Sequence, residues 1–483
     1  MDKQASSKQV VLFSFINYIG TAIGVLSVLF VYPYDKEFLG LVRYIDVIAQ
    51  VLYPIMVMGA SQALIKFYPS LSNQYQKRLF NYSVASILVI AFIILIGITI
   101  YTKAGQRTDS YIFYFAFTIA VALAYVELLK KQAQDMQKIA IPTLYEKLIP
   151  KIVLPIIFLL LLNNIFNIYE SLYVLTAGYI LVFLLTAIYL FKRFKPGFNY
   201  KFKPLFEKIS RKNYTQYSLF AFAGSLGSLL AFRIDGIIIP ELISLEANGT
   251  FTIGVTLAST LQIPAVGMFA IYAPIVSRYL EKGNTVELGR DYKRVANLLF
   301  FIGTVLYSCI FLGINNLFAV LPTGDNLIAS VPIILILGAS VVFNMATSFN
   351  SEVITFSKYY RFNLIAILLL TILNISLNLY FIYYTSLGIV GVAYASLIAM
   401  VLFNCSKLWF IYKKFGLLPF DAAFLKLAVI FIVSGLGIYL LPEANSNSIN
   451  LFYKVGLSLI VNIVAVYKMK LVPQLNERIN SLF

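Results

Sequence analysis

The chain has 483 residues, 60% of them hydrophobic and only 12% charged, with a formal net charge of +17. A water-facing domain carries about a quarter charged residues, so half that value excludes a soluble surface. Two cysteines and no histidine provide neither a disulfide framework nor a zinc site.

Apolar stretches of about 20 residues, long enough to cross a ~30 Å hydrocarbon core, recur along the chain and predict an all-α polytopic membrane protein. Their number and length, with no alternating ten-residue segments, exclude a β-barrel. Fourteen helices are predicted, near 10–32, 41–66, 79–101, 111–131, 140–162, 168–191, 214–240, 250–276, 293–314, 327–349, 360–384, 388–412, 421–441 and 450–469. The first run, Val10 to Val31, is too long for a cleavable signal and lacks a small-residue cleavage site, so it reads as a span.

Helix two holds Arg43 and Asp46 near its outward end. At a spacing of three they share a face and can pair, and Arg43 is close enough to the interface to snorkel. Helix five holds Glu146, Lys147 and Lys151. The two lysines are four apart and stack like charge, about 10 and 16 Å from the inward end. That is unfavourable unless water or an anion lies beside them. Pro142, Pro150 and Pro155 interrupt hydrogen bonding nearby, which is tolerated where backbone lines a cavity. The alternative is a helix that starts near Leu148.

After helix six comes the densest basic cluster, Lys192, Arg193, Lys195, Lys201, Lys203, Lys208, Arg211 and Lys212. It reads as a topology anchor and linker, or as a site for an anionic headgroup. Helix seven then carries Arg233 and Asp235, each of which costs about 2.5–3.5 kcal/mol to insert at a helix centre. Residues two apart do not face each other, so each charge must find water, another helix or a ligand. Two readings stay open. One is a structural pair with another helix; the other is an arginine presented to a cavity for an anion, with Asp235 orienting it.

Among the Lys and Arg, only Lys36, Lys103 and Arg107 fall in outward loops if the N-terminus is cytoplasmic, and six lie within predicted spans. The remaining 29 of the 38 lie in inward loops or at inward helix ends, so both termini are expected in the cytoplasm. The same distribution accounts for the net charge without nucleic acid. Pro33, Gly40, Pro54 and Lys66 are matched in order by Pro240, Gly249, Pro264 and Arg278, which suggests a parallel duplication. The expected division is an N-terminal lobe of six helices (1–191), a basic linker (192–213), a second six-helix lobe (214–415), and two extra helices with a tail (416–483). The two lobes would enclose a central cavity.

No predicted loop is longer than 192–213, too short for the roughly 50 residues of a soluble domain. Serines and threonines lack a paired base, and no Gly-rich phosphate loop occurs, so the chain reads as a transporter and not an enzyme, with no cofactor. The 34 Tyr and 40 Phe could stack on sugar rings, but interface belts and lipid-facing positions absorb most of them.

Phe38-Leu-Gly-Leu-Val-Arg-Tyr44, Gly59-Ala-Ser-Gln-Ala-Leu-Ile-Lys-Phe-Tyr-Pro69, and Arg233-Ile-Asp235 followed by Leu245-Glu-Ala-Asn-Gly-Thr-Phe251 carry a resemblance. Together with the helix count and the basic loop, they resemble the Wzx-like polysaccharide flippases that export O-antigen and capsule, in the multidrug/oligosaccharidyl-lipid/polysaccharide exporter (MOP) superfamily. The resemblance covers nearly the whole chain through loose motifs. It implies a V-shaped two-lobed fold in a bacterial inner membrane, turning an undecaprenyl-pyrophosphate-linked oligosaccharide across the bilayer by alternating access. A pyrophosphate suits Arg233, Lys147 and Lys151, with Asp235, Arg43 and Asp46 completing the candidate site. Membrane lipids are the other expected partners, a proton or sodium coupling ion is left open, and the chain is expected to act as a monomer. Cation-coupled multidrug exporters of the superfamily use acidic residues in the first-lobe cavity, and helix one has none. Peptidoglycan-precursor flippases place arginines in their first helices, where only Arg43 of helix two stands. A membrane-embedded polymerase or glycosyltransferase would show a large outward loop, which is missing.

Overall fold

A computed structural model describes residues 19–481, and they are helical, with no strand among the described residues. In chain order the helices are α1 (Ile19–Tyr34), α2 (Lys36–Val57), α3 (Ala60–Phe67), α4 (Asn73–Ala104), α5 (Ser110–Asp135), α6 (Ala140–Leu162) and α7 (Ile168–Phe191). Next come α8 (Lys203–Lys208), α9 (Arg211–Arg233), α10 (Asp235–Leu242), α11 (Leu245–Ser259), α12 (Ile263–Glu281), α13 (Thr285–Val320) and α14 (Gly324–Leu327). The last are α15 (Val331–Ala346), α16 (Asn350–Thr355), α17 (Tyr360–Tyr384), α18 (Ile389–Phe415), α19 (Ala422–Tyr439), α20 (Asn447–Lys468) and α21 (Pro473–Asn480).

Among the described residues, eleven helical segments are long and apolar enough to cross a membrane, or twelve if the bent pair α9–α10 is one span. The chain is a multi-pass membrane protein. Fourteen spans are expected from the sequence, against the eleven or twelve found among the described residues, and the first and fifth expected spans are not among those. The first, 10–32, is described only from Ile19 onward, and its earlier residues lie outside the described part. The fifth, α6, has full length but carries Glu146, Lys147 and Lys151 in its middle.

Two expected helices are broken. The predicted helix 41–66 divides into α2 and α3 at Met58 and Gly59, both with left-handed backbone. Pro54 removes one amide donor in the last turn of α2. The predicted helix 214–240 bends by 50° between α9 and α10. Gly236 sets α10 directly on α2, because a Cβ there would lie 2.8 Å from the Val47 side chain.

By their internal packing the described residues form two compact units. One comprises 19–27 and Tyr34–Gly249; the other comprises Val28–Pro33 and 250–481. In the first unit α2 packs against α4, α5, α9 and α10, while α5 and α6 pack against α7. Its core includes Ile45, Val47, Ala49, Ala116, Ile119 and Leu128. Helix α2 begins at Asp35, whose side chain accepts from the Phe38 amide at 2.8 Å, and α7 begins with a capping box between Asn167 and Glu170. In the second unit α13 packs against α15, α19 and α20. Tyr292, Met345, Phe349 and Ile411 are buried together there, and Tyr272 stacks on Phe349 at 5.3 Å.

One crossing in the first unit leaves no room for side chains. A Cβ on Gly40 would lie 1.8 Å from the Leu245 carbonyl oxygen, and one on Gly249 would lie 1.8 Å from that of Lys36. These are the two glycines matched by the internal repeat. Around them Asn248 Nδ2 donates to the Gly40 carbonyl at 2.8 Å and Lys36 Nζ pairs with Glu246 at 3.0 Å. Gly40→Ala and Gly249→Ala should therefore each remove about 2 kcal/mol or more by forcing α2 and α11 apart. Gly97→Ala in α4, with nothing within 4 Å, should be neutral or gain up to about 1 kcal/mol of helix propensity. Melting temperatures of the purified variants in detergent check this. Equal values for all three would contradict the close crossing.

Candidate functional site

The charges of the candidate site, Arg43, Asp46, Lys147, Lys151, Arg233 and Asp235, all lie in the first unit. A cavity of about 460 Å³ lies among α2, α5, α6, α7 and the end of α9. Its polar wall is Asp46, Gln50 and Tyr53 from α2, Glu127 and Lys130 from α5, and Glu146, Lys147 and Lys151 from α6. Tyr179 of α7 and Arg233 of α9 complete it. On α2, Arg43, Asp46, Gln50 and Tyr53 follow at helical spacing, which puts all four on one face.

Asp46 is the hub. Its Oδ2 accepts from Gln50 Nε2 at 2.7 Å and from Arg43 Nη1 at 3.1 Å. Its Oδ1 accepts from the Tyr179 hydroxyl at 3.1 Å. Arg233 Nη1 stands 3.9 Å from Oδ2, within ion-pair range but too far for a hydrogen bond. One carboxylate thus collects donors from α2 and α7 and stands within ion-pair range of a cation on α9. The pairing of Arg43 with Asp46 agrees with their spacing, and Arg233 meets a partner on another helix.

Lys130 is the second hub. Its Nζ lies 2.7 Å from Glu146 Oε2 and 3.4 Å from Glu127 Oε2, and Lys131 Nζ lies 3.6 Å from Glu127 Oε1. These pairs tie α5 to α6. The lining holds four basic and three acidic side chains, and Arg43, bonded to Asp46, adds a fifth cation. The wall is therefore net cationic. Lys147 is half-buried and Lys151 exposed. Helix α6 runs from Ala140, so the alternative start near Leu148 does not occur, and Pro150 lines the cavity.

Asp235 stands apart from this group. It is buried in the first turn of α10, beyond the bend, and is not among the described residues that line the cavity. The break explains the spacing of the two charges. Arg233 is the last residue of α9 and Asp235 the first of α10, so each charge complements the dipole of the helix end that it occupies. Sequence reasoning missed Gln50, Tyr53, Glu127, Lys130 and Tyr179. The α2 stripe and the Glu127, Lys130, Lys131 spacing could have signalled four of them. Nothing distinguishes Tyr179 among the chain's 34 tyrosines. Among the described residues no group of His, Cys, Asp and Glu could hold a metal ion.

Residues 7–280 match the family model described as polysaccharide biosynthesis protein. Among solved structures, the lipid II flippase MurJ in an inward closed conformation is similar at a TM-score of 0.73 and 14% identity, over 95% of this chain and 98% of that one. An inward-facing multidrug resistance MATE family transporter follows at 0.61 and 15%, over 82% and 94%. A MOP superfamily transporter from Pyrococcus furiosus, described as having a binding pocket of reverse polarity, is similar at 0.55 and 13%, over 85% and 96%. No curated protein sequence matches. The structural likenesses show the fold; the family model covers more than half of the chain, and the chain belongs to the polysaccharide biosynthesis protein family.

Proposed function

We propose that the protein is a flippase that carries a polyprenyl-pyrophosphate-linked oligosaccharide from the inner to the outer leaflet of a bacterial cytoplasmic membrane by alternating access. The observation that carries this reading is the net cationic cavity of the first unit, in which Asp46 is the anion beside Arg233. Arg43, Gln50 and Tyr179 donate to that carboxylate and Arg233 stands within ion-pair reach. Such a set of donors also suits a phosphate, and a guanidinium can present two N–H groups to its oxygens. In this reading the substrate's phosphate displaces Asp46 as the partner of Arg233, with Lys147 and Lys151 holding the rest of the charge. Asp235 acts indirectly, by fixing the start of α10 beside Arg233.

The family model favours a glycan over a drug. A second reading, a cation-coupled exporter, draws support from Asp46, Glu127 and Glu146, carboxylates in the cavity wall that come from helices other than the first. It requires one of them to exchange a cation during transport. Their ion pairs with Arg43 and Lys130 oppose that exchange.

Arg233→Ala should abolish surface glycan at normal membrane abundance, and Arg233→Lys should retain part of it, since charge survives but the two-pronged donor does not. Replacing Lys147 and Lys151 together by Gln should lower export more than replacing both by Arg. Membrane abundance and surface glycan measured in the same cells check this. Normal glycan in Arg233→Ala sinks the site, and low abundance with unchanged turnover per molecule makes the pair with Asp46 structural. Topology is tested separately. A reporter fused within 192–212 should be cytoplasmic and one fused between Leu441 and Asn450 periplasmic; the same side for both contradicts the orientation.

A further inference from the structure

The linker between α7 and α9 is a folded surface. Residues 192–212 contain eight Lys or Arg and one acid, Glu207, and all eight basic side chains are exposed. Beneath them Phe194, Leu205 and Ile209 are buried. Asn81 of α4 donates from Nδ2 to the Gly197 carbonyl at 2.8 Å and lies 3.4 Å from that of Asn199. The Tyr82 ring meets Phe202 at 5.3 Å, Phe206 at 5.0 Å and Tyr214 at 5.6 Å, all edge-on. The backbone is thus held against α4 and the start of α9.

Phe198 lies between the two residues whose carbonyls Asn81 holds, yet it is 95% exposed. The ring points outward from a backbone pinned on either side, and it is flanked by Lys195 and Lys201. Retaining a loop on one side of a membrane requires only its charge. It requires neither a pinned backbone nor an aromatic ring held outward. Both flanking helices belong to membrane spans, so the linker begins and ends at a bilayer face.

We infer that this linker is a docking surface for the anionic lipid headgroups of the surrounding leaflet, with Phe198 inserted among the acyl chains. The occupant follows from charge and place: the partner is anionic and has an apolar layer beneath its charge, and it lies where α7 ends and α9 begins. Basic residues near an anionic leaflet are attracted over about a Debye length, so the interaction weakens with salt.

The test uses the full chain in nanodiscs. Trp409, the single tryptophan, is replaced by Phe, and Phe198→Trp supplies the reporter. Discs contain phosphatidylcholine alone or with phosphatidylglycerol, each with brominated acyl chains that quench an inserted indole. The expected result is quenching with a blue shift in the phosphatidylglycerol discs, reversed by high salt and absent in phosphatidylcholine alone. Changing Lys195, Lys201, Lys203 and Lys208 to Gln should abolish it, while the lipid and salt comparisons need no change to the basic residues. A reporter that stays solvent-like in both discs overturns the proposal, as it would if the surface served a soluble protein instead. Equal quenching in both discs at every salt concentration overturns the headgroup recognition.

Discussion

A charge carried into the hydrocarbon layer must be compensated there, and much of the first unit is arranged around that requirement. Asp46 compensates Arg43 on its own helix and stands within ion-pair reach of Arg233 on α9, and it also accepts from Tyr179 on α7. Lys130 does the same between α5 and α6 through Glu127 and Glu146. Polar contacts therefore join α2, α7 and α9 in one set and α5 and α6 in another, in addition to packing. Removing one member of a buried pair is strongly unfavourable, because the other charge is left uncompensated. A mobile anion can take that member's place without this penalty. That property links the electrostatics of the cavity to the proposed substrate.

Helix α2 joins the packing to the chemistry. Near its start Gly40 lets α11 approach backbone to backbone. Its middle bears the stripe of Arg43, Asp46, Gln50 and Tyr53, and it ends at the left-handed pair Met58 and Gly59. A displacement of α2 would move Asp46 relative to Arg233 and disturb the crossing at Gly40 together. The bend at Ile234 couples α9 and α10 in a similar way, since it sets a cation at one helix end and an anion at the next.

The membrane helices were legible because hydrocarbon thickness imposes a run of about 20 apolar residues, which hydropathy detects directly. Their breaks were less so: Pro54 and Pro240 were visible, but the turn at Met58 and the bend at Ile234 depend on what packs alongside. Within the site, the pairing of Arg43 and Asp46 could be read from their spacing, because both lie on one helix. The partner of Arg233 could not, since it depends on how α9 lies against α2. The sequence suggests that Asp235 orients Arg233 in a cavity; the structure puts it at the start of α10 and outside the cavity lining, because the helix breaks between the two. Gln50 is marked only by its place on the α2 stripe, and Tyr179 emerges only when the helices are assembled.

The central claim is that Asp46 holds the place of a substrate phosphate, and binding to the Asp46→Asn variant tests it most directly. The purified wild type and variant would be titrated with a polyprenyl-pyrophosphate glycan and with an uncharged polyprenol, after thermal melting shows both proteins folded. Asp46→Asn should bind the pyrophosphate lipid more tightly, because the competing carboxylate is gone, while binding of the polyprenol should not change. Weaker or equal binding of the pyrophosphate lipid by a folded Asp46→Asn variant would contradict that claim.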